Sequence, residues 1–198
     1  MRLTLETLYK DHDNLRRILC LLEKLLIDIY RGSSAGHLML QRILIYIQDY
    51  PSHIHHPAEY AVFSAISKDG DSNKKFHEDV NTLMEDHSEI DDTIKNAIEA
   101  VGPNLVSTQP DITDITDITD ITDITDITDI TDIGDKLSTL IIRERSHLLF
   151  EEMNIYPYVA EHLSGEDWEN ISALIPDYED PIFGNKVRKE YELIFKAL

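Results

Sequence analysis

Apolar residues recur every three or four positions along four long segments of this chain, which is the spacing of one face of an α-helix. The first segment carries the stripe Leu8, His12, Leu15, Leu19, Leu22 and Leu26. The third carries Phe76, Val80, Leu83, His87, Ile90, Ile94, Ala97 and Val101. Each stripe is apolar except for one histidine. The pattern predicts an all-α chain whose helices bury one face each.

The other two segments place a histidine and a glutamate together on their apolar stripes. The second segment carries His55, Glu59, Val62 and Ile66. The fourth carries Leu140, Glu144, His147, Glu151, Ile155 and Tyr158. In both His-x-x-x-Glu pairs the two residues stand one turn apart on the same side of the helix. Such residues are costly to bury unless they are paired or bound to a metal.

The polar positions fall at one depth if the helices form an up-down-up-down four-helix bundle with short connections. Counting from connections centred on Ser33 and Asp71, His12 and His55 lie 21 and 22 residues from the first. His55 and His87 each lie 16 residues from the second. At about 1.5 Å of rise per residue these positions are level to within one turn. The sequence therefore predicts a buried metal site formed by His12, His55, Glu59, His87, His147 and Glu151.

A repeat separates the third and fourth helical segments. Residues 111–133 consist of seven Asp-Ile-Thr units followed by Asp-Ile. A period of three matches neither a helix face nor a strand, and regularly spaced aspartates oppose compact packing. We expect a solvated, disordered loop, with helix three ending near Val101 and Gly102 and helix four beginning near Gly134 or Asp135. An acidic tether or weak cation sink is the alternative.

The expected domain organisation is one bundle over residues 1–164, with the repeat loop inserted, and a C-terminal helical extension over 165–198. The extension contains Trp168 and Phe183, which are expected to pack on the outside of the bundle. A contact within a homo-oligomer is the alternative role for this segment.

Composition and charge narrow the function classes. The 198 residues carry a formal net charge of -20, which argues against binding to a nucleic-acid backbone. No stretch has the length and apolarity of a membrane span, and the first residues do not form a signal peptide. Cys20 is the single cysteine, so no internal disulfide framework exists. The expected location is the cytoplasm, with no membrane partner.

Three motifs resemble the hemerythrin-like HHE cation-binding domains, in particular their bacterial members. They are His53-Ile-His-His-Pro-Ala-Glu59, Glu85-Asp-His87 and His147-Leu-Leu-Phe-Glu151-Glu152. The resemblance implies two iron ions in a non-haem, oxo- or hydroxo-bridged di-iron centre inside the bundle. It implies that the histidines of the predicted site are terminal ligands and that Glu59 and Glu151 bridge the metals.

The chain departs from the oxygen-carrying members of that family on helix three. Those proteins place two histidines four residues apart, whereas Leu83 stands four residues before His87 here. His56, Glu144 or Glu152 are the candidates to fill this gap. We nevertheless expect His56 to point away from the site. Glu144 is expected at an exposed rim near Arg143 and Arg145, with a proton relay or an entry gate to the metals as the alternative.

The resemblance implies a protein that binds or senses oxygen, nitric oxide, or the iron or redox state of its surroundings. The alternative is a di-iron enzyme that reduces nitric oxide or peroxide, or one that donates iron for iron-sulfur cluster repair. A structural zinc site is the third hypothesis. Closed zinc sites favour four cysteine or histidine ligands, and two bridging carboxylates argue against it.

Overall fold

Four helical rods form the bundle in the computed structural model, which describes residues 3–31, 37–68, 73–102, 127–175 and 179–198. The α-helices are α1 (Leu5–Tyr30), α2 (His37–Tyr50), α3 (His56–Lys68), α4 (Lys74–Val101), α5 (Ile127–Phe150), α6 (Tyr156–His162), α7 (Gly165–Ser172) and α8 (Glu192–Ala197). Two π-helical turns (Pro51–His55 and Glu151–Ile155) and a 3₁₀ turn (Lys189–Tyr191) complete the regular structure. These described ranges contain no strand.

The π-helical turns join shorter helices into long rods. The first turn connects α2 to α3 and the second connects α5 to α6 without a break in the helical backbone. Helix α1 packs against α2 and α5, and α4 packs against the same two helices. The four rods therefore stand at the corners of a square in up-down-up-down order, and the predicted four-helix bundle with a C-terminal helical extension is confirmed.

Two apolar clusters occupy the two ends of the bundle. The first contains Leu22, Leu44, Ile94 and Leu140 among its members. The second is built around residues such as Phe63 and Phe76. Each fully buried side chain of this kind stabilises the fold by about 2 kcal/mol. The predicted polar layer lies between the two clusters in the order of the chain, so that apolar packing closes the site from both ends.

The helix ends follow recognisable capping signals. The Thr4 side chain accepts from the backbone N–H of Thr7, which completes a capping box at the start of α1. Asn73 caps α4 by accepting from the N–H of Phe76. At the far end of α4, Gly102 has φ 97°, a conformation that favours glycine. The predicted end of helix three at this position is confirmed.

The predicted start of the fourth helix, near Gly134 or Asp135, is wrong. Helix α5 begins at Ile127, so the last seven residues of the supposed loop, 127–133, are helical. The physical reason is that Ile130 and Ile133 continue the apolar stripe of α5 at helical spacing. Ile133 is fully buried and Ile130 packs against the core. The rest of the repeat lies outside the described residues.

The C-terminal extension packs on the bundle, as the sequence predicts. Ile182 and Ile194 are completely buried in the first apolar cluster, and Trp168 packs against the second. The Tyr46 hydroxyl of α2 donates a hydrogen bond to the Asp180 carboxylate at 3.0 Å. No helix in the described part of the chain is long and apolar enough to cross a membrane.

Candidate metal centre

The two π-helical turns lie directly at the polar layer. In the first, the backbone N–H of His56 donates to the carbonyl of Pro51, five residues earlier. In the second, the N–H of Tyr156 donates to the carbonyl of Glu151. A π-turn adds a residue to one helical turn and rotates the following side chains relative to a continuous α-helix. Both turns therefore change which residues face the interior next to the site.

All six predicted ligands meet between the rods, together with His56. One group consists of His12, His55, Glu59 and Glu151, and the other of His56, His87 and His147. Within each group the potential ligand atoms lie within 4.8 Å of one another, and all seven residues are buried.

Two histidine pairs turn the same ring nitrogen inward. The Nε2 atoms of His12 and His55 lie 3.1 Å apart. The Nε2 atoms of His87 and His147 are also 3.1 Å apart. Two nitrogens at this separation are placed to bind one ion together, at the usual metal–nitrogen distance of roughly 2 Å.

Each glutamate reaches both groups of ligands. Glu151 Oε2 lies 2.9 Å from His12 Nε2, whereas its Oε1 lies 3.4 Å from His147 Nε2. Glu59 Oε1 lies 3.5 Å from His55 Nε2, and its Oε2 lies 3.8 Å from His87 Nε2. The two carboxylates thus stand between the histidine pairs with one oxygen toward each. This is the arrangement that a bridging carboxylate requires.

The outward nitrogens of two predicted ligand histidines are held by hydrogen bonds. His12 Nδ1 donates to the Glu152 carboxylate at 2.9 Å, and Arg16 binds the other oxygen of Glu152. His87 Nδ1 is hydrogen-bonded to the Tyr60 hydroxyl at 2.9 Å. Such partners fix the tautomer and the ring orientation, which leaves Nε2 available to a metal.

The other histidine of each pair has a carboxylate near its Nδ1 atom. Asp11 lies 3.5 Å from His55 Nδ1 and is itself held by the Tyr50 hydroxyl. Asp86 lies 3.5 Å from His147 Nδ1. These four outer partners, Glu152, Tyr60, Asp11 and Asp86, were not singled out as partners by the sequence. Their position next to predicted ligands in the sequence could have identified three of them, because Asp11 precedes His12, Glu152 follows Glu151 and Asp86 precedes His87.

Tyr156 belongs to the site, although the pattern of apolar stripes does not predict it. Its hydroxyl donates to Glu59 Oε1 at 2.7 Å and lies 2.9 Å from His12 Nε2. The side chain is completely buried. Tyr156 follows Glu151 by five residues, which is the spacing of a π-turn and not of an α-helix. A uniform helical projection therefore places the neighbouring Ile155 on this face.

Burial keeps most of the imidazoles neutral in the metal-free protein. Loss of hydration lowers the pKa of His12 well below its ordinary value, lowers that of His87 to about 3 and lowers that of His147 to about 2. His55 differs, because Glu59 and Asp11 outweigh the opposing effect of burial and raise its pKa. Neutral imidazole is the form that binds a metal.

The pKa values of the two buried glutamates are raised, whereas those of most of the histidines are lowered. Burial raises the pKa of Glu59, and burial together with the nearby Glu59 raises that of Glu151 well above its usual range. Glu59 Oε2 and Glu151 Oε1 are buried without a hydrogen-bond partner among the described residues. Two unpartnered carboxylate oxygens beside neutral imidazoles form a donor set that a cation would satisfy. The residues present therefore fit a pair of bound metal ions.

Two expectations about neighbouring residues are wrong. His56 does not point away: it is 9% exposed, and its ring stacks on that of His87 at 3.7 Å between centroids. Glu144 is not at an exposed rim, since it is only 4% exposed. Arg143 and Arg145, which suggested an exposed position, instead bind Glu89 and Glu23 on other helices. Glu152 contacts His12 from outside the layer.

Buried Glu144 gives a pH-dependent prediction for the metal-free protein. Burial raises its pKa from 4.5 to about 7. Below pH 4.5 the carboxyl is protonated in both the folded and unfolded states and costs nothing. Between pH 4.5 and 7 the unfolded chain ionises first, so the fold loses up to about 3 kcal/mol. E144Q should therefore be more stable than the wild type at pH 8 and nearly equal to it at pH 4.5.

Urea denaturation of the metal-free proteins at both pH values measures this difference. D135N, on the exposed face of the same helix, is the matched control and should show no such change. Equal stability of E144Q and wild type at pH 8 would contradict the assignment of a raised pKa.

Comparison with known families places this geometry in context. The model of the hemerythrin HHE cation-binding domain matches residues 3–159, which include α1 to α5, the first part of α6 and every residue of both candidate ligand groups. Comparisons with curated proteins and with solved structures give no match. Because the family model covers more than half of the sequence, the chain belongs to the hemerythrin HHE cation-binding domain family.

Proposed function

We propose that this protein holds two iron ions in a non-haem di-iron centre and that it binds or senses oxygen, nitric oxide, or the iron or redox state. The observation that carries the proposal is the position of Glu59 and Glu151, each with one oxygen toward each histidine pair. A single metal would not need two carboxylates that face both ways. Imidazole and carboxylate ligands together suit iron.

The ligands proposed for the first iron are His12 and His55, and those for the second are His87 and His147. Glu59 and Glu151 would bridge the two ions. A di-iron centre supplies redox chemistry and open positions for small ligands, because these side chains do not complete two octahedral shells. Hydrogen bonds with Glu152 and Tyr60 hold His12 and His87 in place. The two apolar clusters keep bulk water away from the centre.

The partner in this proposal is a small diatomic molecule or peroxide. The net charge of -20 leaves no support for a nucleic-acid partner. A cytoplasmic location is part of the proposal and rests on the single cysteine, which suits a reducing compartment.

The test is to load the protein with ferrous iron under anaerobic conditions and to measure iron per chain. Air is then admitted while the optical spectrum is recorded. About two irons per chain, with the charge-transfer bands of a bridged diferric centre, are expected. Binding of zinc alone, or of no metal after iron is supplied, would contradict the proposal.

The same preparation separates a binding protein from an enzyme. Reversible spectral change with oxygen or nitric oxide, without consumption, supports binding or sensing. Sustained consumption of nitric oxide or peroxide in the presence of a reductant would instead show a di-iron enzyme. Transfer of the iron to an apo iron-sulfur protein would show iron donation.

A further inference from the structure

We propose that His56 is a further metal ligand, which joins His87 and His147 on the second metal. This inference rests on the proposed di-metal function and adds a residue to it. The first observation is that His56 offers a ring nitrogen within 4.8 Å of ligand atoms of both other histidines. It does so from α3, a helix that already supplies Glu59.

The π-helical turn explains how two consecutive histidines face the same site. In a continuous α-helix, neighbouring residues point about 100° apart, so His55 and His56 would not both face inward. The extra residue in the turn Pro51–His55 reduces this divergence. Both side chains are consequently buried, with His55 1% and His56 9% exposed, while His53 on the same turn is exposed.

The ring of His56 lies against the other two histidines of its group. The ring stacks on His87 with an interplanar angle of 16° and lies edge-on to His147. Within the part of the chain that the structure describes, it makes no hydrogen bond to another protein group. A metal ion held by His87 and His147 would therefore lie within reach of a ring nitrogen of His56.

This assignment makes the two metals unequal. The second metal would have three imidazoles, from His56, His87 and His147, whereas the first would have two. The positions left for exogenous ligands would therefore lie mainly on the side of His12 and His55. The Tyr156 hydroxyl is on that side, 2.9 Å from His12 Nε2.

The experiment uses the full chain loaded with Co(II), whose paramagnetism shifts the ring protons of each bound histidine in NMR spectra. H56Q should lose one set of shifted imidazole ring resonances relative to the wild type. Its affinity for the second equivalent of cobalt should fall by at least about tenfold. H53Q, which changes the exposed histidine of the same turn, is the matched control and should behave like the wild type.

H56A gives a second variant in case glutamine disturbs folding, which circular dichroism monitors. Added imidazole should enter the space left by the ring and restore binding of the second cobalt. H56Q with wild-type resonances and wild-type affinity for the second metal would overturn the assignment. So would H56A that binds the second cobalt as tightly as wild type without imidazole.

The outcomes separate failure of this inference from failure of the proposed function. Wild-type protein that takes up only one metal would contradict the di-metal proposal. Even then, the ring resonances would decide the role of His56. Their loss in H56Q would support ligation, and their retention would overturn it.

Discussion

Replacing Glu151 with glutamine is expected to abolish binding of the metal pair while making the metal-free fold more stable. An amide has one neutral oxygen donor and cannot join two cations, whereas each Glu151 oxygen faces a different histidine pair. The affinity for the second iron should fall by more than the roughly 10- to 100-fold that loss of an outer partner costs. Iron analysis after anaerobic loading and dialysis measures this effect.

E151Q is expected to stabilise the metal-free fold even though it weakens metal binding. Burial and Glu59 raise the pKa of Glu151 in the folded state, so its ionised form is disfavoured there. Above the pKa of the unfolded chain, the wild type bears this cost and E151Q does not. The control is E161Q, an exposed acid on α6, which should change neither property. E151Q that retains two irons with a wild-type spectrum would contradict the bridging role.

Iron loading is expected to raise the free energy of unfolding strongly. The ligands come from all four rods, so the ions bind the folded state far more tightly than the unfolded chain. At free iron about 1,000 times the dissociation constant, each occupied site adds about 4 kcal/mol. Urea denaturation under anaerobic conditions, with and without iron, should show a higher midpoint for the loaded protein.

A double variant controls for iron acting elsewhere on the acidic surface. E59Q/E151Q removes both carboxylates of the layer but leaves the surface charges in place. Its midpoint should be unaffected by iron at the same concentration. A wild-type midpoint that does not move on loading, or an equal shift in the double variant, would show that stabilisation does not come from the buried site.

The bundle and the six proposed ligands could be predicted because both depend on one regular period. Apolar stripes at helical spacing define the faces that must be buried, and a histidine or glutamate on such a stripe is conspicuous. Short connections then fix the relative depth of successive helices. The stripes and the connection lengths together predict that His12, His55, His87 and His147 lie in one layer, where the structure places them.

The site residues that the sequence did not predict come directly after the two π-helical turns, which interrupt the regular helical period. A π-turn changes the phase of a helix by one residue, and the stripe pattern does not record it. Tyr156 and His56 come directly after such turns and face the site for that reason. Pro57 and Pro157 were the visible signals, because a proline inside a helix removes a backbone hydrogen bond that the preceding turn must accommodate.

Glu144 shows a different limit of the sequence. It lies on the same stripe as His147, but its arginine neighbours suggested an exposed position. Adjacent residues on a helix point in different directions, so Arg143 and Arg145 carry no information about the direction of Glu144. Its position on the stripe was the better guide, and the structure buries it.

Because the first turns of α5 are built from repeat units, the start of this helix does not depend on how many units precede it. The Asp-Ile-Thr units are identical, so whichever unit comes last supplies the isoleucine at position 130, and the closing Asp-Ile supplies Ile133. The register of α5 is therefore expected to stay the same when whole units are added to the repeat or removed from it.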